Sequence, residues 1–86
     1  MKVTGYDLRK SQFEGATIAY GKIVLEGVLE IEVSIVEGKD GLFLSLPRKK
    51  GKDNKWYSQI RFTDKEVHQK VQDQVIYFYE QNIKSL

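Results

Sequence analysis

An α+β fold is what this sequence predicts: a small twisted antiparallel sheet of about five strands packed against one C-terminal helix. Three observations lead there. Over the first two thirds of the chain, apolar residues alternate with polar ones in short runs, the period of half-buried strands. Those runs are separated by glycine-bearing turns at Phe13-Glu14-Gly15, Glu26-Gly27 and Gly38-Lys39-Asp40-Gly41. In the last third, Val67, Val71, Val75, Phe78, Tyr79 and Ile83 recur at helical spacing. With 86 residues the chain has room for one domain over 1–86, and no stretch reads as a linker, repeat or low-complexity tract.

Taken in order, Val3 to Arg9 reads as the first strand, with Val3 and Leu8 as its apolar members. The second runs from about Ala16 to Leu25. Its apolar phase slips, Ile18 and Tyr20 pointing one way and Ile23 and Leu25 the other, and a bulge at Gly21 would reconcile the halves. Glu26-Gly27 fits a tight hairpin turn. From Val28 to Val36, Leu29, Ile31, Val33 and Ile35 share one face and Glu30, Glu32 and Ser34 the other, a sheet with one buried and one wet side. Leu42, Leu44 and Leu46 point inward on the next strand, with Phe43 and Ser45 outward, until Pro47 ends it for want of a backbone donor. A polar, basic loop spans Arg48 to Lys55. Trp56 to Phe62 returns as a strand with Trp56, Ser58, Ile60 and Phe62 on one face. Thr63-x-x-Glu66 matches a capping box opening the helix.

A chain this short buries only roughly 60% of the surface its unfolded form exposes, and small domains recover stability through disulfides, metals or self-association. There are no cysteines and only one histidine, His68, so disulfides, thiolate metal sites and histidine clusters are excluded. Self-association as a homodimer, through an edge strand in need of protection, is the expected support. The opening Met1-Lys2-Val3-Thr4 lacks the apolar core of a signal peptide, and the absence of Cys fits a reducing compartment. The expectation is a cytoplasmic protein with no membrane partner. Catalytic signatures are missing: no GxSxG, no Walker loop, no GxGxxG and no paired histidines at metal spacing. The reading is therefore a binding protein, not an enzyme, with no cofactor and no metal.

Charge locates the binding. Glu26 to Asp40 holds five acids and one base, whereas Leu46 to Arg61 holds six bases and one acid. Arg48, Lys49, Lys50, Lys52 and Lys55 stand beside Tyr57 and Arg61. Cations of this kind neutralise phosphates and release counterions, and rings among them stack on exposed bases. The candidate nucleic-acid site is this set, with Phe43 on the neighbouring strand. A solubilising hairpin is the plain alternative. The helix flank of Lys65, His68, Gln69, Lys70, Gln72, Asp73 and Gln74 reads as an ordinary solvent face. Two further readings stay open: a binder specific for single-stranded DNA, and a protein-interaction module in which acidic face and basic loop meet partners or each other across a dimer.

Three pieces of the chain carry a family resemblance: Met1-Lys2-Val3-Thr4 with Leu8-Arg9-Lys10; Gly41-Leu42-Phe43-Leu44-Ser45-Leu46-Pro47 followed by the basic pair Lys49-Lys50; and Lys70-Val71-Gln72-Asp73-x-Val75 with Tyr79. In order and spacing they resemble the SpoVG family (stage V sporulation protein G, or septation proteins) from Met1 to about Glu80. The resemblance implies a small α+β fold, a sheet-mediated dimer, and a bacterial regulator linked to sporulation and septation that binds DNA and, in some members, RNA. Carried over by position, Lys49 and Lys50 contact phosphates and Lys70 contacts from the helix. The sequence departs from the pattern at His68, where the family has Arg. It departs again at Tyr57-Ser58-Gln59-Ile60-Arg61-Phe62, which lacks the family's Asp-Ile-x-x-Pro-Ile, and at a one-residue gap before the helix. These departures imply a different target site or a weaker sequence preference.

Overall fold

Strands β1 (Val3–Lys10), β2 (Thr17–Leu25), β3 (Leu29–Gly38) and β4 (Gly41–Ser45) form an antiparallel meander in the order β1-β2-β3-β4. This computed structural model describes every residue except Phe13, so the part of the first turn expected at Phe13 lies outside the described residues. Two short strands, β5 (Arg48–Lys50) and β6 (Trp56–Ser58), pair with each other in a separate two-stranded sheet. One helix, α1 (Lys65–Asn82), follows. The α+β class holds, with the strands divided between a four-stranded sheet and a separate two-stranded ribbon.

The meander follows from alternation. Ile31, Val33 and Ile35 of β3 are buried with Ala19, Ile23 and Leu25 of β2, Val3 and Leu8 of β1 and Leu44 of β4. Val71, Val75, Tyr79 and Ile83 of the helical stripe close over them, because neither an amphipathic helix nor a one-sided sheet can bury its apolar face alone. Tyr6 stacks on Phe78 with ring centroids 4.0 Å apart, and burial raises its phenol above the ordinary tyrosine value. At the first hairpin Glu26 and Gly27 both take positive φ, 52° and 70°, as the primed turns that match strand twist require. Thr4 Oγ1 accepts from the Gly27 amide at 2.8 Å, tying that turn to β1.

The phase slip in β2 has a different seat from Gly21. The register shifts between Thr17 and Ala19, which places the irregularity at Ile18, while Gly21 stays in step with Leu8 and Val33. Gly21 instead permits close approach: a Cβ there would lie 1.9 Å from the Asp7 carbonyl oxygen. The strand expected over Trp56–Phe62 stops at Ser58 because its partner β5 is three residues long. The last rung is the Gln59 amide on the Pro47 carbonyl at 3.0 Å. Helix capping falls one residue later than Thr63. Asp64 is the N-cap, its carboxylate accepting from the Glu66 and Val67 amides at 2.8 and 3.4 Å, and an anion there also complements the helix dipole.

The helix holds both rims of the sheet. Gln74 Oε1 accepts from the Val3 amide at 2.9 Å and its Nε2 donates to the Met1 carbonyl at 2.9 Å. On the opposite rim, Gln72 Oε1 accepts from the Leu44 amide at 3.0 Å. These two glutamines, expected on a solvent face, are therefore committed to edge strands, whose unpaired groups otherwise invite foreign strands. Lys10 adds a third tie by donating to the main-chain oxygens of Lys84 and Leu86 beyond the helix. Among the described residues no helix is long and apolar enough to cross a membrane.

Candidate nucleic-acid interface

Every residue of β5 and β6 is exposed. The register pairs Arg48 with Ser58, Lys49 with Tyr57 and Lys50 with Trp56. Side chains alternate across a strand, so Arg48, Lys50, Trp56 and Ser58 share one face of the ribbon and Lys49 and Tyr57 the other. The two faces are used differently.

Tyr57 braces the turn. Its hydroxyl donates to Asp53 Oδ2, while Asp53 Oδ1 accepts from the Lys55 amide at 3.1 Å. The ring lies over Gly51, where a Cβ would approach Tyr57 Cε2 to 2.7 Å. Gly51 and Lys55 close the loop through a 2.8 Å backbone bond, and Asn54 takes φ 63°, a conformation Asn tolerates. The bond from Tyr57, and then the Lys55 amide, hold the Asp53 carboxyl below its ordinary value. The same bond raises the Tyr57 phenol.

The other face is open. Trp56 is 57% exposed and the Arg48 guanidinium sits 5.0 Å from its ring centroid, a cation–π contact. The alternation predicts one shared face for Trp56, Ser58, Ile60 and Phe62. The ribbon leaves Ile60 exposed as well and turns only Phe62 toward the core. A tryptophan next to a run of bases is the signal that would have found it.

Of the expected site residues, Arg48, Lys49, Lys50, Lys52, Lys55 and Tyr57 lie together on the ribbon and its turn. Arg61 is exposed just beyond. Lys70 lies on α1, exposed, and among the described residues no hydrogen bond joins helix and ribbon. His68 is half-buried and set edge-on against Phe62, ring centroids 5.8 Å apart, a packing position. Phe43 lies over Gly38 at the β3–β4 turn, outward on the sheet and off the ribbon. Among the described residues the salt bridge formed is Lys22–Glu30 at 3.7 Å, and no carboxylate pairs with Arg48, Lys49, Lys50, Lys52 or Lys55.

A four-stranded meander backed by one helix and extended by a charged, aromatic ribbon defines a small α+β protein with an unneutralised basic arm. The chain belongs to the SpoVG family, whose model matches residues 1–81. It is 33% identical over 86 residues to a SpoVG protein of Symbiobacterium thermophilum named for septation, an alignment covering 99% of this chain and 61% of that relative. SpoVG proteins of Staphylococcus saprophyticus and Staphylococcus aureus, also named for septation, are 34% and 32% identical over 82 residues. Those alignments cover 94% of this chain and 81% and 82% of the relatives. The chain thus spans less than two thirds of the Symbiobacterium protein's length.

Proposed function

We propose that this chain is a dimeric, cytoplasmic nucleic-acid-binding regulatory protein that works without catalysis. Phosphates meet the ribbon through Arg48, Lys49, Lys50, Lys52 and Lys55, with Arg61 and Lys70 as flanking contacts. The observation that carries this reading is the ribbon itself: cations clustered without carboxylate partners among the described residues, on an element that buries none of its own strand residues. Unpaired cations on a projecting arm recruit polyanions by counterion release. Family membership supports the reading, since the SpoVG resemblance implies nucleic-acid binding and a dimer.

Fluorescence anisotropy with single-stranded DNA, duplex DNA and RNA at about 50 and 200 mM salt tests it. If roughly four to six phosphates are neutralised, affinity falls with a log-log salt slope of about −3 to −5. A variant with Arg48, Lys49, Lys50 and Lys52 changed to Gln should stay folded and bind poorly. Unchanged binding by that variant removes the ribbon from the site.

The exposed Trp56, Tyr57 and Ile60 favour a second reading, a protein-interaction module, because aromatic residues on a ribbon also suit a protein partner. In that case salt dissociates the dimer itself, which sedimentation of the isolated protein at low and high salt reports.

A further inference from the structure

The face of the sheet opposite α1 holds a groove whose origin is the register of all four strands. Arg9 of β1 faces Tyr20 of β2, Tyr20 faces Ser34 of β3, and Ser34 faces Ser45 of β4. Two small hydroxyl residues beside a large ring leave a step in the surface. In the adjacent row Asp7 faces Lys22 and Lys22 faces Glu32. Together with Leu46, Pro47 and Arg48, where the chain leaves the sheet, these rows enclose an open groove of about 620 Å³. Tyr20 is 44% exposed within it.

Arg48 joins this groove to the ribbon: it lines the one and lies over Trp56 on the other. One residue, Arg48, thus belongs both to the groove that exposes Tyr20 and to the contact with the exposed Trp56. The groove is not simply basic, since Asp7 and Glu32 line it with Arg9, Lys22 and Arg48. A duplex backbone, which offers only phosphates and sugar to such a surface, gains nothing from those carboxylates. An unpaired base does. Its face stacks on an aromatic ring, its flanking phosphates meet arginines, and its amino group donates to a carboxylate. Exposed aromatics on a four-stranded sheet backed by helix are an established platform for such stacking.

We propose that this groove receives a base of an unpaired strand, so that the ligand class is single-stranded nucleic acid running from Trp56 across Arg48 to Tyr20. The proposal rests on the nucleic-acid reading above and adds a site to it. Tyr20 is the stacking surface, Arg9 and Arg48 hold the neighbouring phosphates, and Asp7 or Glu32 accepts from an exocyclic amino group, such as that of cytosine. Thymine, with a carbonyl in that place, is disfavoured.

The test is anisotropy with labelled oligo-dC, oligo-dT and a mixed duplex, using wild type, Tyr20→Ala, Tyr20→Phe, Ser34→Gln (which fills the step and keeps the Tyr20 ring) and Glu32→Gln. Oligo-dC should bind most tightly and duplex most weakly. Tyr20→Ala should lose roughly tenfold or more in single-strand affinity, the scale of one stacked base, and Tyr20→Phe should keep it. Ser34→Gln should repeat the loss, and Glu32→Gln should shrink the preference of dC over dT. If Tyr20→Ala and Ser34→Gln bind like wild type while the charge-depleted ribbon variant does not, the groove proposal fails and the ribbon reading stands. Wild type binding no nucleic acid overturns both. A change in sedimentation of Tyr20→Ala with binding unaltered assigns the face to a second copy and also overturns the proposal.

Discussion

The sheet-and-helix body and the β5–β6 ribbon obey different rules within one short chain. The body owes its shape to burial: Ile23, Ile35, Val71 and Val75 are sealed from solvent, and its polar side chains are enlisted where backbone edges need partners. The ribbon buries none of its strand residues. Its order comes from a turn with a tyrosine–carboxylate brace and from an arginine lying on a tryptophan. Two-stranded ribbons are marginal in water on their own, and this one holds its five cations and two large rings without a core of its own. The difference separates the residues that build the core from those that stay exposed.

Perturbing each region should sharpen that separation. The largest effect is expected at Gly21. An alanine Cβ would collide with the backbone of Asp7 and Leu8 at a φ of 154°, and unfolding by urea should show a loss of roughly 3–5 kcal/mol, much of a small domain's stability of about 5–15 kcal/mol. A loss below about 1 kcal/mol would mean that the strands separate there at little cost. Gln74→Ala should come next, at about 1–3 kcal/mol, because it strands the Val3 amide in a part-buried place. Trp56→Ala should leave thermal stability within about 0.5 kcal/mol while weakening single-strand binding. A clear fall in melting temperature would show the ribbon to be coupled to the body.

The smallest effect concerns titration at the turn. The Asp53 carboxyl is lowered by its bond from Tyr57, so its contribution is present above the ordinary carboxylate value and is lost as pH falls through the lowered one. The Tyr57 phenol is raised, so its contribution is present below the ordinary phenol value and is lost as pH rises through the raised one. The turn should therefore hold its geometry across neutral pH. In Asp53→Asn the Tyr57 ring resonances, followed by NMR, should titrate at a lower pH than in wild type. An unchanged midpoint would remove the brace from the account.

Much of the body is legible in the amino-acid order because its determinants are local. The alternation of Ile31, Val33 and Ile35 names the buried face of β3, the stripe from Val71 to Ile83 names the buried face of α1, and Glu26-Gly27 is a turn by its own chemistry. The basic residues of the ribbon are equally plain, since charge needs no fold to be counted. What escaped depends on partners distant in sequence. Trp56, Ser58, Ile60 and Phe62 alternate as a buried strand would, yet the brevity of β5 ends the pairing and leaves Trp56 in solvent. Thr63 and Asp64 are both good caps, and only geometry chooses Asp64. Gln72 and Gln74 look like solvent amides until the sheet rims come beneath them. The row Arg9–Tyr20–Ser34–Ser45 requires three registers at once, two of them shifted, at Thr4 and at Ile18.

The grip of Gln72 and Gln74 on opposite rims also bears on how the protein fails. Lifting α1 from the sheet frees the Leu44 and Val3 amides together and bares the apolar face between them. A partly opened molecule would then present sticky edges and a greasy surface in one event, the combination from which β-aggregates nucleate. Resistance to aggregation in this protein should therefore track how firmly its helix stays docked, more closely than it tracks net charge or the state of the ribbon.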